Sequence, residues 1–324
     1  MLAPDPNQRY EQDSDDRDGP PASKAAQFAL RSNARAWLAI ARDWLAIALL
    51  IYAGVRIHSW LLYPVLAWLI GSFQFALSES LLHEASHYNL FRTRSWNDRL
   101  DFLYGLPFFR TAAQLRREHI VHHRYLGQPQ DQLLADYEAL GLYRSGLNLA
   151  WMWFFRPVLG YAGMYYASAL TLRPWKCGLR IAAFWLIVLG SLLYLHRLSG
   201  LFWYWLVPLW WGCYSQLYWS EITDHYRTRT GIRSNLSRLS NLLHHNNGYH
   251  FTHHKYAAIP WYMLPAATRV LCAGQGDVCY GFLDIYKSIK SGPRDSIFGP
   301  PATRSPSSDT TIGRGNNPRN VCPT

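Results

Sequence analysis

Paired cysteines, compact basic runs and charge in general are what this chain of 324 residues has least of. Its cysteines (Cys177, Cys213, Cys272, Cys279 and Cys322) are odd in number and make no CxxC pair, which argues against a disulfide framework and a cysteine-bound zinc site. Only 16% of residues are charged, little for a soluble enzyme. No signal peptide is expected, because residues 1–24 are polar and proline-containing, with Asp13, Asp15, Asp16 and Asp18. The net charge is +11, yet the basic residues form no run with interleaved aromatics of the kind a nucleic-acid module carries. They flank apolar segments instead, where the positive-inside rule puts them on a cytoplasmic face, so no nucleic-acid partner is expected.

Aromatic residues are plentiful: Trp 15, Tyr 21 and Phe 14. Amphipathic rings in that number suit membrane–water interfaces. A mean hydropathy of −0.14 is too low for a many-span transporter and fits a few spans with a substantial cytosolic portion.

Four apolar stretches are expected to span a bilayer as two hairpins: 37–55, 61–82, 178–195 and 201–223. The first contains the charged pair Arg42-Asp43, which must snorkel or pair to be tolerated. The stretch 148–170 is broken by Arg156-Pro157 and reads as interfacial helices. Residues 1–30 and 291–324 read as disordered tails around one unit over 31–290. The expected fold is an all-α integral membrane protein, multi-pass, with four transmembrane helices, interfacial helices and a cytosolic helical cap. Both termini would be cytoplasmic.

The chain's chemistry lies in its histidines. Eight of thirteen fall in three windows: His83-Glu84-Ala85-Ser86-His87, His119-Ile120-Val121-His122-His123 and His250-Phe251-Thr252-His253-His254. Offsets of three and four place imidazoles on one helix face, a turn apart. Neutral imidazole is the commonest transition-metal ligand, and eight exceed what one ion can bind. Two metal ions in a dinuclear site are therefore expected. The spans between the second and third windows must be even in number for the windows to share one side of the membrane, and two spans meet that condition. His58 and His196 fall in the opposite loops and read as interfacial, while His244 and His245 read as supporting residues.

The pattern HxxxH, HxxHH and, after a second hairpin, HxxHH resembles the membrane fatty acid desaturases and the related hydroxylases. The flanks Tyr125-Leu126-Gly127 and Asn246-Asn247-Gly248-Tyr249 belong to the likeness, which runs from about Leu61 to Pro265. The resemblance implies two iron ions held by His83, His87, His119, His122, His123, His250, His253 and His254, with O2 as co-substrate. It adds His225, just beyond the last span, as a ninth ligand. Glu221 and Asp224 are candidates to orient ligand rings, as is Glu84, and Asn246 or Asn247 to bond a metal-bound water. The implied reaction is desaturation of a fatty acyl lipid, fed by a separate ferredoxin or cytochrome. Hydroxylation of a lipid, alkane or carotenoid is the alternative within the same chemistry.

Two other classes compete. His83-Glu84-x-x-His87 also fits the H-E-x-x-H zinc-peptidase helix, with Glu84 as general base, though the other two windows would then have no role. A non-catalytic metal carrier would account for the histidines alone.

Overall fold

In the computed structural model, residues 22–294 and 296–298 are described; of the tails expected over 1–30 and 291–324, residues 1–21, 295 and 299–324 lie outside the described residues. The chain is mostly helical, with one large hydrophobic core and a second, smaller cluster around Ile259 and Leu264. Helix α1 spans Asn33–Ile57, started by the Ser32 side chain accepting from Arg35 N–H and stopped at His58, which turns left-handed with φ 50. Its buried residues Ala36, Ala39, Ile40, Asp43 and Ile47 recur every three or four positions, and Leu38, Leu45 and Leu49 face outward. An inner stripe of small residues with large aliphatics outside is the reverse of a soluble helix.

Helix α2, Tyr63–Ser86, is the central element: 67% of its apolar window is buried, against 28% for α1 and 22% for Trp175–Tyr194. These three helices are long and apolar enough to cross a membrane. The fourth expected span, 201–223, falls within an unbroken helical run over 198–225. That run is rich in tryptophan and tyrosine, whose N–H and O–H groups make it less apolar than the other three. It crosses α2 at Gly71 and Gly212, where a Cβ on Gly71 would sit 2.6 Å from the Gly212 Cα. Small residues at a helix crossing let two backbones approach this closely.

Between α2 and the second half of the fold lie α3 (Ala112–Arg124), α4 (Gln132–Ala139) and α5 (Tyr161–Ala169). Thr111 and Gln114 form a reciprocal capping box that fixes the start of α3. The Arg156-Pro157 break separates a short π segment, Trp151–Phe155, from α5 as expected, and the Arg156 guanidinium is buried, donating to Leu140 O at 2.8 Å. Trp175–Tyr194 is α6, and the run over 198–225 ends in α7, Tyr214–His225.

Beyond α7 come α8 (Arg238–Leu243), α9 (His250–Lys255), α10 (Leu264–Leu271) and α11 (Phe282–Ser291). The all-α expectation missed a small parallel sheet here, β1 (Arg233–Asn235) with β2 (Asp277–Cys279), paired Arg233 to Asp277. Three-residue strands are too short for alternation to register in a sequence, and the partner is distant along the chain. Inside the segment read as tail, Ala22–Ala26 is helical and Phe28 packs against the small cluster that includes Ile259 and Leu264.

The Arg42-Asp43 pair finds its partners on the third-cluster side. Asp43 is fully buried, 2.6 Å from the Arg42 guanidinium and 2.7 Å from His245 Nε2. Arg42 also donates to the carbonyls of Leu242 and Leu243 at 2.6 and 2.7 Å, closing the C-terminal end of α8. A charge that looked like a defect in a span is thus the clamp that ties α8 and the turn before α9 to α1.

Candidate metal centre

Four elements end at one place. Helix α2 supplies His83 and, at its end, His87; α3 supplies His119, His122 and His123; α7 ends in His225; α9 carries His250, His253 and His254. A π segment at Ala76–Leu81 widens α2 one turn before His83 and so sets the direction its last turn faces. The nine histidines gather into two groups, each with its ligand atoms within 4.8 Å of one another: His83, His87, His119, His123 and His253; and His122, His225, His250 and His254. Each HxxHH window divides between them. On α3 the i, i+4 pair His119 and His123 joins the first group and His122 the second; on α9 the pair His250 and His254 joins the second and His253 the first. The groups touch where His123 and His254 stack, ring centroids 4.1 Å apart.

The ring nitrogens are arranged for a cation. His122 Nδ1–H donates to Asp131 Oδ1 at 2.9 Å, and His225 Nδ1–H donates to Gly231 O at 2.9 Å. A neutral imidazole has one N–H, so both Nε2 atoms then present bare lone pairs, and these face each other 3.2 Å apart. Two lone pairs at that distance repel unless a positive ion lies between them. In the first group, Nε2 atoms converge at 2.9 Å (His83 with His253), 2.8 Å (His119 with His123) and 3.1 Å (His123 with His253). The buried Nε2 of His87 has no hydrogen-bond partner among the described residues. These donors fit two metal ions.

Electrostatics point the same way. Burial first, then the neighbouring imidazoles, hold His87, His119, His123, His250, His253 and His254 well below the usual histidine value. A ring that stays neutral keeps the lone pair that ligation requires.

The supporting residues divide. Asn247 bonds the His83 ring and donates to Ser220 Oγ at 3.3 Å. Asp224 accepts from Ser220 at 3.2 Å and lies 3.8 Å from His250 Nδ1, beyond hydrogen-bond reach. Glu221 accepts from the Tyr166 hydroxyl rather than from a ring N–H, and the Asn246 side-chain amide donates to Trp261 O at 3.2 Å. Glu84 accepts from Trp261 N–H at 3.1 Å, which ties the last turn of α2 to the segment after α9. His244 bonds Ser72 and His245 bonds Asp43, outside both groups. The sequence reading missed Asp131 and the Gly231 carbonyl. Asp131 carried a signal of its own, since it is the N-cap of α4, accepting from Leu133 N–H at 3.1 Å.

Residues 58–280 match the family described as fatty acid desaturase, which covers more than half of the chain, and the chain belongs to that family. It is similar to a dihydrorhizobitoxine desaturase from Bradyrhizobium elkanii, 29% identical, over 71% of this chain and 73% of the relative. The protein is accordingly an oxidoreductase of the desaturase kind, with helices fit for a membrane and histidine clusters fit for metal.

Proposed function

We propose that this protein is a four-span membrane enzyme, one unit over 31–290, that desaturates an aliphatic chain, a fatty acyl chain in the first instance, at two iron ions and with O2. The metals and both termini lie on the cytoplasmic side in this reading. The division of nine imidazoles into sets of five and four carries it, because two multi-histidine sets side by side suit a metal pair and exceed what a peptidase zinc needs.

Bound iron supplies the oxidising power that side-chain acid–base chemistry lacks toward an unactivated C–H bond. The protein's residues do the rest. The five-histidine group would hold one ion and the four-histidine group the other, with Asp131 and Gly231 fixing the His122 and His225 tautomers so that Nε2 is the ligand atom. Asn247 and Ser220 steady His83 from the other side. Arg116 holds the last turn of α2 by donating to Ala85 O and Ser86 O at 3.1 and 2.8 Å. A separate ferredoxin or cytochrome would bring the electrons.

The test is metal analysis and product mass on purified, reconstituted protein. Two irons per chain and a lipid product lacking two hydrogens support the reading. A product that gains one oxygen atom assigns hydroxylation instead. Zinc at one per chain with peptide cleavage overturns it.

A further inference from the structure

The helix ends facing away from the histidines carry a feature that the metal chemistry leaves unused. A cavity of about 730 Å³ opens there between α1, α6 and the start of the run over 198–225. Its walls are Ile51 and Val55 from α1 with Val188 and Leu192 from α6. Its floor is three indoles, Trp44, Trp185 and Trp205, with Trp44 stacked on Trp205 at 5.4 Å. Each indole turns its N–H outward, to Leu103 O at 2.9 Å, Leu106 O at 3.0 Å and Pro107 O at 3.2 Å respectively. With those donors engaged elsewhere, the floor offers the groove ring carbon. From Trp44 to Val55 the groove follows α1 for about 16 Å.

The mouth differs. Arg197 and His58 line it, with Arg56 in the last turn of α1 and His196 beside Arg197. No aspartate or glutamate occurs over 44–78 or 181–220, so nothing on these segments neutralises the guanidinium groups. Trp60, Tyr63 and Trp203 cluster at the same level, with ring centroids 5.6–5.9 Å apart, the kind of aromatic belt that sits among headgroups. The mouth lies at the ends of α1 and of the run over 198–225 opposite the histidines, whereas the floor reaches inward: Gln74 donates to Trp205 O at 3.1 Å, and Gln74 precedes His83 by nine residues, about 14 Å of helix.

We infer that this groove binds one anionic phospholipid from the leaflet opposite the metal centre, an acyl chain lying on the tryptophan floor and the phosphate on Arg197. Charge complementarity selects the lipid: an apolar slot alone would take any acyl chain, whereas an uncompensated arginine at headgroup depth favours a net negative head. The inference rests on the membrane reading above and is independent of the reaction.

Native mass spectrometry tests it on protein purified in mild detergent and offered equal phosphatidylglycerol and phosphatidylcholine. Wild type is expected to retain one phosphatidylglycerol per chain in preference to phosphatidylcholine. Arg197→Gln should lose that preference, and Val188→Trp, which fills the slot, should lose the lipid about tenfold. Leu186→Trp, on the exposed side of α6, should change neither, and metal content should stay at the wild-type level in all three. Equal retention of the two lipids by wild type, or full retention by Val188→Trp, overturns the site. Lipid that comes off desaturated after turnover would make the groove part of the active site and overturns it as well. A chain that does not partition into detergent fails the membrane reading instead.

Discussion

The Phe298 ring lies 4.9 Å from the imidazole of His225, and Phe298 keeps only 1% of its surface exposed. Ile297 beside it lies close to Gly127 and Gly231, the latter being the residue whose carbonyl accepts from His225. A segment that composition assigns to a tail thus closes over the one clustered histidine that lies outside the three windows. Phe298→Ala is expected to weaken metal at the four-histidine group about tenfold and leave the five-histidine group unchanged. Metal titration with two resolved binding steps checks this, and Phe298→Leu should recover most of the loss.

Asp131 is tied to His122 more directly. Asp131→Asn keeps a helix cap for α4 but removes the carboxylate that fixes the ring, and a 10–100-fold loss of affinity at the same group is expected, about the range such supporting bonds show. Equal affinity in the variant would mean that Asp131 serves only as a cap.

Protons compete with metal, and the sign follows from burial. Six ring pKa values lie well below the ordinary 6.5 in the folded state, so as pH falls through about 6.5 the unfolded chain takes up protons that the folded chain refuses. Stability of the metal-free protein is therefore expected to drop steadily below that pH. Thermal melts between pH about 7.5 and about 5.5 should show the fall, and added metal should move it to lower pH.

Gly71 leaves no room for a side chain against Gly212. Gly71→Ala forces the two helices apart, at an expected cost of about 1–3 kcal/mol. Thermal unfolding in detergent measures it, while Gly190→Ala, with open space around it, should be neutral or slightly stabilising.

A basic chain that takes electrons from an acidic donor should lose turnover as salt rises. The net charge of +11 makes this a direct measurement: reaction rate against ionic strength at fixed donor concentration. A flat profile would mean that charge does not guide the encounter with the donor.

Much of the centre was readable along the chain because its ligands obey a helical period. His83 with His87, and each HxxHH, announce themselves by spacing, and the family likeness named His225. Spacing could not show how the imidazoles divide, since His122 and His123 are neighbours in sequence and belong to different groups. Glu84 and Glu221 looked as suitable as Asp131 because a carboxylate's partner depends on what folds against it, here Trp261 N–H and the Tyr166 hydroxyl.

By itself the sequence determined where the long apolar helices run and which histidines share a helix face. Periodicity and residue chemistry are local properties, and they survive without a fold. Only the tertiary structure decided that Arg42 and Asp43 clamp the turn before α9, that Asp131 and Gly231 set two tautomers, and that Phe298 covers His225. Each of those depends on an atom brought within a few ångströms by packing of distant segments, and no local pattern encodes such a distance.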